Sequence, residues 1–273
     1  MIYIFLVVLG LVLGSFINAT VWRVYKQSRS KASKKDQRLS VLYGRSMCEN
    51  CKHTLSVVDL VPVASWIFLR GKCRYCQKNI SWQHPGSELM LGLLFVISYI
   101  VWSLPLVQIT EVLLFTVWLL LVTLGFGLAL YDLRWMILPN KLVYPFTAVA
   151  LVYLGIYATV TQRYPDITSG LLGSVAFSGF FYLLYQFSRG KWIGGGDVRL
   201  ALGLGLVLGW QKSILALTGA AYLGTLVIVV LMIAKKYHRK MKLPFGPFLL
   251  SATFLSALFG QQIINWYLRI SGL

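Results

Sequence analysis

Two aspartates and four cysteines are the residues whose types and spacing could do chemistry. Asp132 stands in Leu130-Tyr131-Asp132-Leu133-Arg134, shortly before Leu138-Pro139-Asn140, and Asp197 follows Gly194-Gly195-Gly196. Each lies where a long apolar run ends or begins, and ionisable groups at such edges are expensive and tend to be functional. Two carboxylates sharing a proton can polarise an amide carbonyl and take a proton from water without a metal, which suits peptide hydrolysis. Taken singly, each has a plainer reading: Asp132 as an interfacial ion pair with Arg134, Asp197 as a helix N-cap. Together, beside a glycine run, they favour catalysis. Asp132 would end one helix and Asp197 begin another, so the helix dipoles make Asp132 the readier holder of a shared proton. Three glycines in a row also permit φ > 0 and close approach of an extended peptide. Gly194, Gly196, Pro244, Gly246 and Pro247 are accordingly the candidate substrate-binding residues, because prolines leave neighbouring carbonyls unpaired. A simple helix start explains the two prolines equally well.

All four cysteines fall in one loop as Cys48-x2-Cys51 and Cys73-x2-Cys76, with 21 residues between the pairs. This spacing is close to that of a four-thiolate zinc site, in which each pair sits on a tight knuckle. In a reducing compartment it argues against two disulfides, and a loop of some 40 residues needs a staple to fold. A redox pair and unliganded thiols are the competing readings. His53 and His84 read as surface or supporting residues. Asp59 lies in an apolar run, Val57 to Pro62, that could follow the membrane surface.

These residues must be positioned by helices in a bilayer. With 58% hydrophobic and 12% charged residues and a mean hydropathy of +0.71, the 273-residue chain lies outside the soluble range. Apolar stretches near the ~20 residues needed to cross hydrocarbon occur at 1–22, 88–104, 108–130, 142–160, 168–187, 198–210, 213–233 and 247–268. The first is kept as a span because its start carries no basic residue and no convincing cleavage site follows. Glu88, after Pro85-Gly86-Ser87, reads as a first-turn acid.

A net charge of +18 raises the question of nucleic acid, but its distribution answers it. With residues 23–87 inside, only Arg163, Lys212 and Arg269 of the 26 Lys and Arg fall outside, as the positive-inside rule requires. The expectation is an all-α polytopic membrane protein of about eight transmembrane helices, both termini outside, with Asp132 and Asp197 at one depth on the cytoplasmic face. The basic stretch from Lys26 to Ser40 is expected to be flexible and to lie near anionic headgroups. Gly10-x3-Gly14 and Gly205-x3-Gly209 read as packing notches. A transporter relay would put its acids near the bilayer midplane, and a nucleic-acid reader would need more exposed aromatics in the loop, so neither rival is favoured.

The motifs, taken in order, resemble those of the type IV prepilin peptidases, or leader peptidases, of the GxGD aspartic class. They include Gly14-Ser15-Phe16-Ile17-Asn18, Cys48-Glu49-Asn50-Cys51-Lys52-His53, Asp59 to Trp66 and Leu69 to Cys76. Asp132 with Leu138-Pro139-Asn140, Gly194 to Leu200, and Pro244-Phe245-Gly246-Pro247-Phe248 complete the match. Glu49 and Arg199 depart from a frequent Pro and Lys. The resemblance implies cleavage of the basic leader of prepilins and pilin-like secretion or DNA-uptake proteins at the inner membrane's cytoplasmic face. It also implies methylation of the new N-terminus from S-adenosylmethionine, and it assigns catalysis to Asp132 and Asp197. The implied organisation is a first span at 1–22, a zinc-stapled methyltransferase loop at 23–87 and a peptidase domain at 88–273, with the bilayer and prepilins as partners and no nucleic acid.

Overall fold

The computed structural model describes residues 1–29, 37–41, 43–163, 165–236, 238 and 241–272, without the side chains of Arg38 and Pro165. It is an all-α polytopic membrane protein. Among the described residues seven helices are long and apolar enough to cross a bilayer. The chain divides into two compact units, Met1–Val101 and Trp102–Leu273.

In the first unit, α1 (Ile2–Arg29) packs on α3 (Gln83–Val101). A Cβ on Gly10 would lie 2.5 Å from Gly92 Cα, and one on Gly14 2.7 Å from Glu88 Cα, so the predicted notch lets two backbones touch. Two expectations are corrected here. The flexible stretch does not begin at Lys26, because Lys26 to Arg29 continue α1; residues 30–36 lie outside the described residues. The helix α3 begins at Gln83, not at Glu88. Pro85 is tolerated in a first turn, whose N–H groups have no helical partner, so Glu88 sits one turn deeper than expected and is buried. The short helix α2 (Ala64–Phe68) and two isolated bridges organise the segment between.

The second unit comprises α4 (Ile109–Trp135), α5 (Asn140–Thr161), α6 (Pro165–Ser188), α7 (Gly195–Ile233) and α8 (Gly246–Ser271). Straight, the 39 residues of α7 would extend about 58 Å, nearly twice a hydrocarbon layer. They are not straight, for Gly209 has φ 71° and ψ 177°. A Cβ on Gly196 would meet Leu138, just past the end of α4, and one on Gly224 would meet Phe248, two residues from the Gly246 that bonds Asp132. Both ends of α7 therefore reach the same end of the bundle, and the helix doubles back at Gly209. Seven helices thus supply the eight expected passes.

The reversal is seated on α6. Gly205 would place a Cβ 2.5 Å from the Gly173 carbonyl, and Gly173 one 2.6 Å from the Gly209 carbonyl carbon. Arg134, Lys141, Arg189, Lys191, Arg199, Lys235, Lys236 and Lys242 cluster in sequence at the Asp132 end of this unit, whereas Arg163 and Lys212 flank the opposite one. Arg239 and Lys240 lie outside the described residues.

Candidate functional site

Asp132 occupies the last turn of α4, which ends where Met136 turns left-handed (φ 54°) and donates its N–H to the Asp132 carbonyl at 2.8 Å. The side chain is buried, and its Oδ2 accepts the Gly246 N–H at 3.0 Å. Asp197 is the third residue of α7 and accepts the Gly194 N–H on Oδ2 at 3.2 Å. One oxygen of each carboxylate is thus held by a backbone N–H at a helix start. The two carboxyl groups lie within electrostatic reach of each other. Residues 65 apart in sequence come together because α4 ends, and α7 and α8 both begin, at one end of the unit. Such a pair can hold a water and exchange a proton through it.

Asp197 is not the N-cap residue, which is Gly194, but sits at the third helical position and accepts the Gly194 N–H, and the Arg134 guanidinium sits over the Trp135 ring, 5.9 Å from its centroid. Among the five residues predicted to bind substrate, Gly246 touches a carboxylate directly. A Cβ there would lie 2.7 Å from Asp132 Oδ2, so only glycine allows this approach. Gly196 is filled from the other side, since its Cβ position is 2.8 Å from Leu138 Cβ. A Cβ on Gly194 would lie 3.4 Å from Asp197 Oδ2, and Pro247 stands in the first turn of α8. Sequence reasoning missed Leu138 and the hydrogen bond from Arg199 to Asn140, which ties the start of α7 to the start of α5. The sole hint was that these residues flank the two aspartates.

The cysteines meet as their spacing predicts. All four Sγ atoms lie within 4.8 Å of one another, Cys48 and Cys76 at 3.9 Å. A tetrahedral ion with ~2.3 Å bonds to sulfur needs sulfurs about 3.8 Å apart, so the cluster fits one. Its two knuckles are copies of one design. Cys48 N–H bonds the His53 carbonyl at 3.0 Å and Cys73 N–H the Lys78 carbonyl at 2.9 Å. Lys52 (φ 60°) and Gln77 (φ 56°) take the same left-handed position, and bridges Met47 to Thr54 and Lys72 to Asn79 close the two turns. Burial pushes the Cys73 thiol up, whereas the Lys78 N–H and the Asn50 amide draw Cys76 down to about 6. The His53 ring lies 3.7 Å from that of Tyr75, tilted by 43°, and His84 Nε2 lies 3.9 Å from Glu49 Oε1.

Asp59 locks this loop to the turn before α2. Burial opposes its ionisation, but hydrogen bonds from Ser56 Oγ, Arg74, Ser56 N–H and Tyr75 outweigh that and hold it at about 2. Because the folded carboxyl ionises below its unfolded value of ~3.9, its stabilisation is complete above that pH and fades as pH falls toward about 2. Asp59→Asn is therefore expected to lower the unfolding midpoint in detergent at pH 7, with the gap from wild type closing below about pH 4. An unchanged midpoint at pH 7 contradicts the lock.

Two family models match the chain: the bacterial peptidase A24 N-terminal domain over residues 8–103 and the type IV leader peptidase family over residues 113–229. A protein of Aeromonas salmonicida named prepilin leader peptidase/N-methyltransferase is 29% identical, covering 95% of this chain and 91% of its own length. Proteins of the same name from Bacillus subtilis and Pseudomonas aeruginosa are 28% and 27% identical, each over 97% of this chain and over 98% and 93% of their own lengths. No solved structure matches.

Proposed function

From the premise that this chain belongs to the type IV leader peptidase family, we propose that it cuts the basic leader from prepilins and pilin-like proteins and N-methylates the residue thereby exposed. The cut is made by Asp132 and Asp197. The observation that carries this reading is the pair of carboxylates brought to one end of the second unit, each held on one oxygen by a backbone N–H. The free oxygens then flank a water: one carboxylate takes its proton while the other, protonated, donates to the scissile carbonyl; the proton taken from water then passes to the leaving amine as the C–N bond breaks, and the second carboxylate recovers its own from the hydroxyl of the tetrahedral intermediate. Gly194, Gly196, Pro244, Gly246 and Pro247 border the groove for the extended peptide, with Gly246 positioning Asp132 and Gly196 seating α7 on Leu138.

On this reading the site lies at the cytoplasmic face of the inner membrane with both termini outside, a placement that the positive-inside rule supports. Partners are the prepilin substrates and the bilayer, and nucleic acid has no role. Mass spectrometry of a prepilin co-expressed with the enzyme tests both activities, because loss of the leader and gain of one methyl group are separate shifts. A precursor of unchanged mass contradicts both.

Zinc held by Cys48, Cys51, Cys73 and Cys76 staples residues 45–80. It serves a structural role, since four thiolates leave no open position for substrate. Metal analysis is expected to find about one zinc per chain, falling to background in Cys48→Ser. Because binding to such a site is also folding energy, stripping the metal should open the loop to protease near Tyr75 while the second unit stays resistant. A metal-free wild type with a resistant loop contradicts the staple.

A further inference from the structure

Residues 55–69 carry a single charged side chain, Asp59, and it is 3% exposed, held by Ser56, Arg74 and Tyr75. The apolar side chains of the same stretch do the opposite: Val57, Val58, Val61, Ile67 and Phe68 are all exposed. Beyond it the chain turns basic at once, with Lys52 on one side and Arg70, Lys72 and Arg74 on the other. A loop standing in water would expose its charge and cover its valines.

The depth of this stretch follows from the helix pair that carries it. On α1, the Tyr3 ring meets that of Tyr99 on α3 at 5.5 Å, and the Trp22 ring lies under the Lys26 and Lys52 ammonium groups. Tyr3 and Trp22 are 19 residues apart, which is about 28 Å of helix and close to the thickness of a hydrocarbon layer, so the two aromatics mark its faces. Glu88 lies well between them. It accepts the Ser15 hydroxyl, and Ser15 is seven residues, or about 10 Å, from Trp22. The other helix gives the same depth independently, since Glu88 stands five residues, or about 8 Å, past the start of α3 at Gln83. Glu88 also accepts the Val63 N–H at 2.8 Å. The turn before α2 therefore reaches below the plane of Trp22 instead of following the membrane surface.

A chain that enters hydrocarbon must satisfy its own backbone. Pro62 has no N–H to satisfy, Ser56 gives its N–H to Asp59, and Leu60, Ser65 and Ile67 give theirs to carbonyls three or four residues back. Val63 breaks the pattern, because its left-handed φ of 58° turns the N–H away from the local carbonyls. Glu88 is the acceptor that meets it, a use for this buried carboxylate that the peptidase chemistry does not supply.

We propose that residues 57–68 form a re-entrant segment whose exposed side chains sit among the lipid acyl chains of the leaflet on the Arg29 side of α1, with Glu88 as the internal cap of its turn. The flanking basic residues then stand at the height of anionic headgroups. Lipid is the occupant because the segment reaches a depth at which Leu89 and Leu93 of α3 are exposed as well, on the wall of a span. The segment moors the cysteine loop to the bilayer, and it does so whichever chemistry the loop performs.

The test uses the full-length protein in nanodiscs of phosphatidylethanolamine and phosphatidylglycerol. Protein leaves Phe68 and Tyr43 almost equally uncovered, at 85% and 87%, so hydroxyl-radical modification separates lipid cover from water contact. After scaling to the free amino acids, Phe68 is expected to react about 10-fold more slowly than Tyr43, because hydrocarbon excludes water. Benzoylphenylalanine in place of Phe68 is expected to cross-link to phospholipid on irradiation. Modification of Phe68 as fast as Tyr43 puts the segment in water and overturns the proposal. A cross-link to peptide alone, from this chain or from a second copy, assigns the patch to protein and overturns it as well.

Discussion

Asp132→Asn and Asp197→Asn are each expected to slow leader cleavage by about 10² to 10⁴-fold, the range that a positioned acid or base contributes. The substitution keeps the volume of each side chain and one oxygen for its N–H donor, Gly246 for Asp132 and Gly194 for Asp197. What it removes is the capacity to carry a proton to and from water. Folding and zinc content should therefore stay near wild type, which separates a chemical effect from collapse. The double variant should be little slower than either single one, because a pair that works through one shared water is lost as a unit. Cleavage rates of purified variants on a full-length prepilin measure this, and a wild-type rate in either single variant contradicts the assignment.

Gly246→Ala is expected to lower the cleavage rate by about 10²-fold, an effect of position and not of chemistry. The new methyl group would lie 2.7 Å from Asp132 Oδ2 and 3.3 Å from its Cγ. The carboxyl group is a side-chain end and can swing away, but it is buried, and any swing breaks the 3.0 Å bond from the Gly246 N–H. Stability should change little while the reactive oxygens are misplaced. Gly155→Ala makes the matching control, for nothing lies within 4 Å of the added atom there, so the same substitution should leave the rate unchanged. Equal rates for the two variants contradict a positioning role for Gly246.

Much of this architecture is legible in the amino-acid order, and what is missed has physical causes. Charge asymmetry alone demands a short pass ending near residue 210, and the reversal at Gly209 supplies it, because lysines and arginines must return to one side. The cysteine spacing foretells the cluster, since a C-x2-C pair fits one knuckle geometry. The likeness of the two knuckles is not legible, because Lys52 and Gln77 share a backbone conformation without sharing a side chain. The start of α3 is hidden because Pro85-Gly86 reads as a breaker, although proline is harmless in a first turn. Gly196 shows the limit most clearly. Its lack of a side chain can be read as room for a substrate, but which neighbour fills that room, Leu138 in this case, depends on a residue 58 positions away.

The most direct test of the account is a structure of the enzyme bound to a prepilin peptide whose scissile amide is replaced by a hydroxyethylene group. The hydroxyl of that group should lie within about 2.6 to 3.2 Å of both the Asp132 and the Asp197 carboxylates, in the place of the attacking water. A hydroxyl bound away from either carboxylate, or carboxylates too far apart to share it, contradicts the account.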